Sequence, residues 1–159
     1  MAMTMKTEGL DALGQQLAKL GEQARDIASG ALYDGAGVMA DAINAGIGKI
    51  RTAPFKYATG NEKRLPSPQE KAALIRKAGI AKFRKDTDGV DTLVGLAKSG
   101  YTQVAGKRKP VAVIARSINS GTSFMTKQPV IRQAVTGAKA AAEAAIISKA
   151  ETMIEEITK

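Results

Sequence analysis

The stretch Ile118-Asn119-Ser120-Gly121-Thr122-Ser123-Phe124-Met125-Thr126-Lys127-Gln128-Pro129 decides the fold, because it separates two segments with helical patterns. Before it, apolar residues recur at i, i+3, i+4 and i+7, the spacing of one helix face: Val111, Ile114, Ala115 and Ile118. Gly121 can take a positive φ, and the hydroxyls beside it can bond nearby backbone groups, so the pattern predicts a turn. Pro129 then predicts the start of a long, alanine-rich C-terminal helix.

Phe124 and Met125 are adjacent apolar residues in a segment with no strand or helix pattern of its own. Apolar side chains on a loop are typical of an interface, so we interpret Gly121 as setting the turn, Phe124 and Met125 as apolar anchors, and Lys127 as a rim charge. The alternative is that Phe124 folds back under the last helix. The predicted interface loop comprises Gly121, Thr122, Ser123, Phe124, Met125, Lys127 and Pro129.

The two ends of the chain also carry helical stripes. Near the N-terminus, leucines are spaced 3, 4 and 3 residues apart, at Leu10, Leu13, Leu17 and Leu20. The helix either restarts after Gly21 or continues through it, with a second stripe at Leu32, Ala36, Met39, Ile43, Ile47 and Ile50. The C-terminal stripe is Ile146, Ala150, Met153 and Ile157, widened by Ile147 and Ile154. Glycines interrupt the second stripe and weaken its helix propensity, so we expect this helix to depend on tertiary packing.

The middle of the chain predicts a short basic helix and a hairpin. Ser67-Pro68-Gln69-Glu70 has the residues of a capping box, with Ser as the N-cap and Glu three residues later. We expect the helix that follows to occupy residues 66–85, with cations around its exposed side. Residues 92–96 and 101–104 have strand composition, and Ser99-Gly100 between them predicts a hairpin turn. Residues 106–110 are predicted to be a basic loop.

These patterns predict a helix-rich α+β fold in a single domain that covers residues 1–159. It should contain a small antiparallel β-sheet or hairpin and a long C-terminal helix. Because the chain has three Phe, three Tyr and no Trp, we expect a core built from Ala, Leu, Ile and Val. Such residues suit either a plain helical core or a domain that neighbouring chains complete.

The composition argues against most enzymatic and membrane functions. The chain has no Cys and no His, which removes thiol nucleophiles, histidine general bases and most transition-metal sites. Its Asp, Glu, Lys and Tyr residues form no recognisable catalytic pair, so we expect no enzymatic activity, no cofactor and no metal. No apolar run approaches the roughly 20 residues of a membrane span, and residues 1–8 are polar rather than leader-like. We therefore expect no membrane association.

Positive charge is concentrated in the middle of the chain. Residues 49–139 hold nineteen basic and five acidic residues, a net +14, between ends with net charges of −3 and −2. Such a block could contact nucleic acid without reading sequence, dock onto an acidic partner, or join copies positive face to negative face. The acidic side of a contact between copies could come from Glu151, Glu155 and Glu156. Candidate contacts to DNA or an acidic partner are Lys71, Arg76, Lys77, Lys82, Arg84, Lys85, Lys107, Arg108 and Lys109. The alternative is that these charges only face solvent, on the exposed side of the helix and on the basic loop.

The order of these motifs resembles the neck, or tail-completion, proteins of long-tailed bacteriophages. That family carries an (I/L)-E-(aromatic)-G-T step, a short loop, a Pro-Phe pair and a C-terminal helix. This chain matches at Ile118, Gly121, Thr122 and Pro129, and it departs at Asn119, Ser120 and Val130. Gly9-Leu10-Asp11-Ala12-Leu13 resembles the family's opening, and Thr59-Gly60 with Arg64-Leu65 resembles its middle motif. Residues 66–85 are then an added basic helix.

The resemblance implies a structural virion protein that joins the phage head to the tail. Such proteins form a ring, expected to be a hexamer, around the DNA channel. The implied partners are other copies, the head-closure or connector protein, and the tail terminator or tail tube protein, with non-specific contact to channel DNA. The implied location is the virion neck, and the host cytoplasm during assembly. The alternatives are a tail terminator and a sequence-independent, basic DNA-binding protein.

Overall fold

The computed structural model describes residues 10–82, 84–86, 89–96 and 100–158, without the side chains of residues 10–12, 85 and 86. It confirms a helix-rich α+β fold with a long helix at each end and small antiparallel sheets. The elements in chain order are α1 (Leu10–Gly48), α2 (Pro68–Lys77), β1 (Ala78–Ile80), β2 (Arg84–Asp86), β3 (Gly89–Asp91), β4 (Val94–Leu96), β5 (Tyr101–Val104), β6 (Lys107–Pro110), α3 (Val111–Ser120) and α4 (Val130–Thr158).

Helices α1 and α4 pack against each other as an antiparallel pair. They have 39 and 29 residues, which correspond to about 58 Å and 44 Å at 1.5 Å per residue. Helix α1 continues through Gly21, so the two N-terminal stripes belong to one helix. Gln16 Nε2, near the start of α1, donates to the Thr158 carbonyl oxygen at the end of α4, at 3.3 Å. We call residues 13–35 of α1 and 142–158 of α4 the arm.

Three glycines of α1 face α4 where the two backbones approach closely. A Cβ added at Gly46 would lie 2.8 Å from the Ala134 Cβ and 3.0 Å from the Val130 carbonyl oxygen. At Gly35 it would meet the Ile146 side chain and lie 3.0 Å from the Ala142 carbonyl oxygen, and at Gly30 it would lie 2.8 Å from the Met153 sulfur. These three glycines therefore leave room for α4, while the dependence of this helix on tertiary packing stays a prediction.

The remaining elements surround one hydrophobic core, and we call this part the head. The last turns of α1 supply Ile43 and Ile47, and Ile50 follows just after the helix; the three form the end of the predicted second stripe. α3 contributes the predicted face at residues 111, 114, 115 and 118. The other core positions are Ala73 and Leu74 of α2, Val104 of β5, and Met125 of the loop before α4.

Helix α2 begins as predicted but ends before residue 85. Ser67 Oγ accepts the Glu70 N–H at 3.3 Å, and a Glu70 carboxylate oxygen accepts the Ser67 N–H at 2.8 Å, which completes the capping box. The helix predicted over residues 66–85 is wrong beyond Lys77, because Ala78 is extended (ψ 137°) and begins β1. Gly79 weakens a helix by about 1 kcal/mol relative to Ala, and the extended backbone pairs with β4 instead.

The strand pairing also differs from the prediction. Strand β4 pairs with β1, and β5 pairs with β6, so the predicted hairpin between residues 92–96 and 101–104 is wrong. The basic segment predicted as a loop instead contains β6. The turn between β5 and β6 is Ala105-Gly106, with φ of 51° and 74°. Positive φ at both central residues is the geometry of a type I′ turn, whose twist suits a two-residue hairpin.

Candidate functional site

Backbone hydrogen bonds hold the loop between α3 and α4 against the segment before α2. The Arg64 N–H donates to the Phe124 carbonyl oxygen at 3.0 Å, and the Thr126 N–H donates to the Arg64 carbonyl oxygen at 3.0 Å. Arg64 and Met125 thus form a short parallel bridge. Within the loop, Thr122 Oγ1 accepts the Met125 N–H at 3.0 Å. The loop therefore has a defined backbone conformation.

Gln128 fixes the far end of this loop, and the sequence analysis gave it no role. Its side chain is buried, with Oε1 accepting the Arg51 N–H at 2.8 Å and Nε2 donating to the Arg51 carbonyl oxygen at 3.1 Å. Its own N–H donates to the Ile118 carbonyl oxygen at 2.7 Å. Gln128 therefore connects the end of α3 to the chain after α1. A glutamine in a polar segment carries no sequence signal for this burial.

The structure separates the two predicted apolar anchors. Met125 is 1% exposed and belongs to the core, so its assignment as an interface anchor is wrong. Phe124 is 45% exposed and presents its ring to solvent. Gly121 sets the turn as predicted: its φ is 76°, and a Cβ there would lie 2.9 Å from the Lys127 Cβ. Of the other predicted loop residues, Ser123 and Lys127 are exposed, and Thr122 and Pro129 are half-buried.

Arg64 and Glu70 form a buried ion pair beside this loop. Arg64 Nη1 donates to Glu70 Oε2 at 2.7 Å, and Nη2 donates to Oε1 at 2.6 Å. The two side chains are 8% and 1% exposed. The guanidinium also donates to the Leu65 carbonyl oxygen at 3.1 Å and lies 4.9 Å from the centroid of the Phe55 ring. The sequence identified Glu70 as a capping residue, but nothing in the spacing pointed to Arg64.

The surroundings of Glu70 lower its pKa below the ordinary value of 4.5. Burial alone raises this pKa, because it disfavours the charged form. Hydrogen bonds from Arg64 and from the Ser67 backbone N–H, together with the charge of Arg64, outweigh the effect of burial. Glu70 is therefore ionised at neutral pH, and it connects the start of α2 to the segment that holds the loop.

Lys71, a predicted contact to DNA or an acidic partner, instead serves the fold. Its Nζ donates to the Gly48 carbonyl oxygen at 2.7 Å and to the Ile50 carbonyl oxygen at 3.0 Å. A helix leaves its last carbonyl groups without partners inside the helix, and Lys71 satisfies two acceptors at the end of α1. We therefore correct its assignment to that of a helix-capping residue.

The other predicted cations fall into two groups on the head. The first group surrounds β5 and β6 and consists of Arg76, Lys77, Lys107, Arg108 and Lys109. All are exposed except Lys109, which is half-buried with its Nζ 5.9 Å from the Phe55 ring centroid. The second group, Lys82 and Arg84, is exposed beside β1 and β2. The side chain of Lys85 lies outside the described residues.

An apolar groove of about 490 Å³ runs along one side of the arm. Leu13 and Leu17, both exposed, extend the α1 stripe beyond it. The sequence patterns identified these stripes but not how many helices cover them. The arm has only two helices, so one side of each stripe stays uncovered. The groove is lined by Leu20, Ala24, Ile27, Ala28, Ala31, Leu32, Ile146, Ala150 and Ile154.

Comparison with known proteins identifies no relative: no protein family, curated protein or solved structure matches this chain. Among the described residues, no three acidic side chains are grouped so that they could hold a metal ion. Within the same residues, no helix combines the length and apolar character of a membrane span. The candidate functional surfaces are thus the loop at residues 121–129, the arm groove and the cations around β5 and β6.

Proposed function

We propose that this protein is a structural subunit that joins a phage head to its tail as a ring of copies around the DNA channel. The observation that carries the proposal is the uncovered apolar groove of the arm. Burial of apolar surface stabilises a protein by about 25 cal/mol per Å², and an uncovered groove lacks this stabilisation. A continuous apolar groove on an exposed helix pair is therefore typical of a surface that another chain covers.

The resemblance of the loop and its flanking helices to phage neck proteins selects this assembly among others. Its proposed partners are other copies, the head-closure or connector protein, and the tail terminator or tail tube protein. A tail terminator is the alternative within the same particle. In each case the chemistry is binding: side chains on a rigid domain contact neighbouring chains.

The arm groove suits the contact between copies in such a ring. Copies related by rotation meet through two different surfaces, and this head-to-tail interface closes when the rotation divides a full circle. Arg25 and Asp26 lie between the groove residues Ala24 and Ile27, and Lys149 and Glu151 flank Ala150, so each side of the groove carries a cation and a carboxylate nearby. Opposite charges at a rim favour one orientation of two copies over others.

The loop at residues 121–129 suits the contact to the ring above or below. Its backbone is fixed at Arg64 and at Arg51, so Phe124 is presented without the entropy cost of ordering a mobile loop. An exposed aromatic ring on a fixed backbone is a typical binding anchor. Lys127, exposed on the same loop, remains the proposed charge at the rim.

Electron microscopy of a phage in which this gene is interrupted tests the joining function. The lysate should contain filled heads and finished tails that are unjoined, or joined but leaking. A plasmid copy of the intact gene should restore joined particles. Normal, infectious particles from the interrupted phage would rule out the proposal.

Phe124→Ser should abolish restoration in that complementation assay and leave the chain folded. The ring is 45% exposed, so its loss should lower the free energy of unfolding by only about 1 kcal/mol. The matched control is Val113→Ser, which removes an exposed apolar side chain from α3 and should restore infectious particles. Thermal unfolding of both purified variants completes the test. A Phe124→Ser chain that fails to fold would instead show that the ring supports the core.

Ala24→Glu should also abolish restoration, because it places a charge in a groove that another copy is proposed to cover. Burying a carboxylate without a partner costs several kcal/mol. Gln23→Glu, one residue earlier and exposed, adds the same charge outside the groove lining and should restore infectious particles. Both variants should keep the helical circular dichroism of the unmodified chain. Full restoration by Ala24→Glu would show that the groove stays uncovered in the particle.

A further inference from the structure

Three cations lie together where α2 meets the β5–β6 hairpin, and we call them the basic cluster: Arg76, Lys77 and Arg108. Arg76 lines two neighbouring clefts, one against the hairpin turn at Gly106 and one shared with Lys77 and Tyr101. The aliphatic part of the Lys77 side chain packs against Gly100, where an added Cβ would lie 3.0 Å from the Lys77 Cδ. Tyr101 lines the second cleft with Arg76 and Lys77 and lies under the Arg108 guanidinium, so these three cations share one surface.

Within the described residues, no carboxylate forms an ion pair with any member of the basic cluster. Two ion pairs of the described residues, Arg64–Glu70 and Lys139–Glu143, lie on other parts of the chain. The guanidinium of Arg108 instead rests 4.2 Å from the centroid of the Tyr101 ring, which holds it over the hairpin. Such a surface has a positive potential that attracts anions.

The lining of the first cleft matches phosphate better than it matches a protein surface. Gln69, Thr102 and Gln103 add polar groups beside Arg76. The other lining residues have small side chains or none: Ala72, Ala105 and Gly106. Arg, Lys, Thr and Gln side chains are common donors to nucleic-acid phosphates. Protein interfaces instead depend on a large apolar or aromatic anchor at their centre, and this cleft has none.

Tyr101 is the single aromatic residue of the two clefts, and Arg108 already covers one face of its ring. Proteins that bind single strands stack successive bases on several free aromatic rings. This surface therefore favours the backbone of a duplex over exposed bases.

We propose that the basic cluster binds the phosphate backbone of duplex DNA without reading its sequence. This inference goes beyond the joining function and does not depend on it. Three phosphate contacts predict a slope of about −2.7 for log K against log salt, so affinity should fall about 40-fold between 50 and 200 mM salt. Two duplexes of unrelated sequence should bind equally.

The test is fluorescence anisotropy of a labelled 30-base-pair duplex with the purified full-length chain. Arg76→Gln with Arg108→Gln should weaken binding at low salt at least tenfold and reduce the salt slope to about −0.9, because two of three contacts are lost. The matched control is Arg116→Gln with Arg132→Gln, which removes two exposed arginines outside the clefts and the arm groove, and the same net charge. It should keep the slope of the unmodified chain.

Three results would overturn the proposal. They are no binding at 50 mM salt, equal losses in both double variants, and tighter binding of poly-glutamate than of the duplex. Equal losses would mean attraction by net charge alone, and preference for poly-glutamate would identify an acidic protein as the partner. Because the assay uses purified chain and DNA, its result is separate from the outcome of the particle assays.

Discussion

Arg64→Met is expected to lower the free energy of unfolding by about 3–5 kcal/mol, since it leaves the Glu70 carboxylate buried without its cation. Glu70 is 1% exposed in its side chain, and the Ser67 N–H would remain a donor to it. The substitution also removes the donor to the Leu65 carbonyl oxygen and the contact with the Phe55 ring. Urea denaturation at neutral pH measures the loss.

A second pair of residues in the same chain provides the control. Lys139 and Glu143 are separated by 3.8 Å on the surface of α4, with side chains 75% and 60% exposed. Lys139→Met should change stability by no more than about 0.5 kcal/mol, since water screens an exposed pair. If Arg64→Met costs no more than Lys139→Met, the buried pair does not stabilise the head. Replacing Arg64 and Glu70 together by Met should recover much of the loss, because no buried charge then remains unpaired.

The lowered pKa of Glu70 gives this pair a defined pH dependence. In the unfolded chain the carboxyl binds a proton more readily than in the folded one, so protonation favours unfolding. The stabilisation is fully present above the ordinary value of 4.5 and is lost as the pH falls through the lower folded-state pKa. The stability difference between the unmodified chain and Glu70→Gln should therefore shrink as the pH drops below 4.5. A difference that stays constant down to pH 3 would contradict this assignment.

Local patterns predicted the helices well because their causes lie within a few residues. The Ser67–Glu70 capping box, the apolar face of α3 and the turn at Gly121 all depend on neighbours in sequence. The end of α2 was missed because Ala78 leaves the helix to pair with Leu96 of β4, a distant partner. Strands of three or four residues carry too short a pattern to choose among such partners.

The sequence predicted where the candidate surfaces lie along the chain, but not which of their side chains are buried. Two adjacent apolar residues identified the loop. Phe124 is exposed and Met125 is buried because Met125 pairs with Arg64, which is distant in the sequence. Lys71 looked like any other surface cation until the end of α1 came within reach of its Nζ. The arm groove was visible as two stripes, but sequence periodicity gives the direction of an apolar face and not the number of helices that cover it.

Gly46→Ala is expected to lower the free energy of unfolding by about 1–3 kcal/mol, the usual cost of overpacking a close contact. The added methyl would lie 2.8 Å from the Ala134 Cβ and 3.0 Å from the Val130 carbonyl oxygen. Neither atom can move away by rotating a side chain, so the two helices must separate. Helix propensity acts in the opposite direction, because Ala is favoured over Gly by about 1 kcal/mol in a helix interior.

Gly37→Ala measures the effect of helix propensity without the close contact. It is the same substitution in the same helix, but no atom lies within 4 Å of the added methyl. It should therefore raise stability by about 0.5–1 kcal/mol through propensity alone. Thermal and urea unfolding of the two variants should give shifts of opposite sign. Stabilisation by both would show that α1 and α4 have room to separate at Gly46, and that the glycine is not needed for their approach. Opposite signs would mean that the contact at Gly46 tolerates no added methyl, which fixes the position of α4 against the last turns of α1, beside the core of the head.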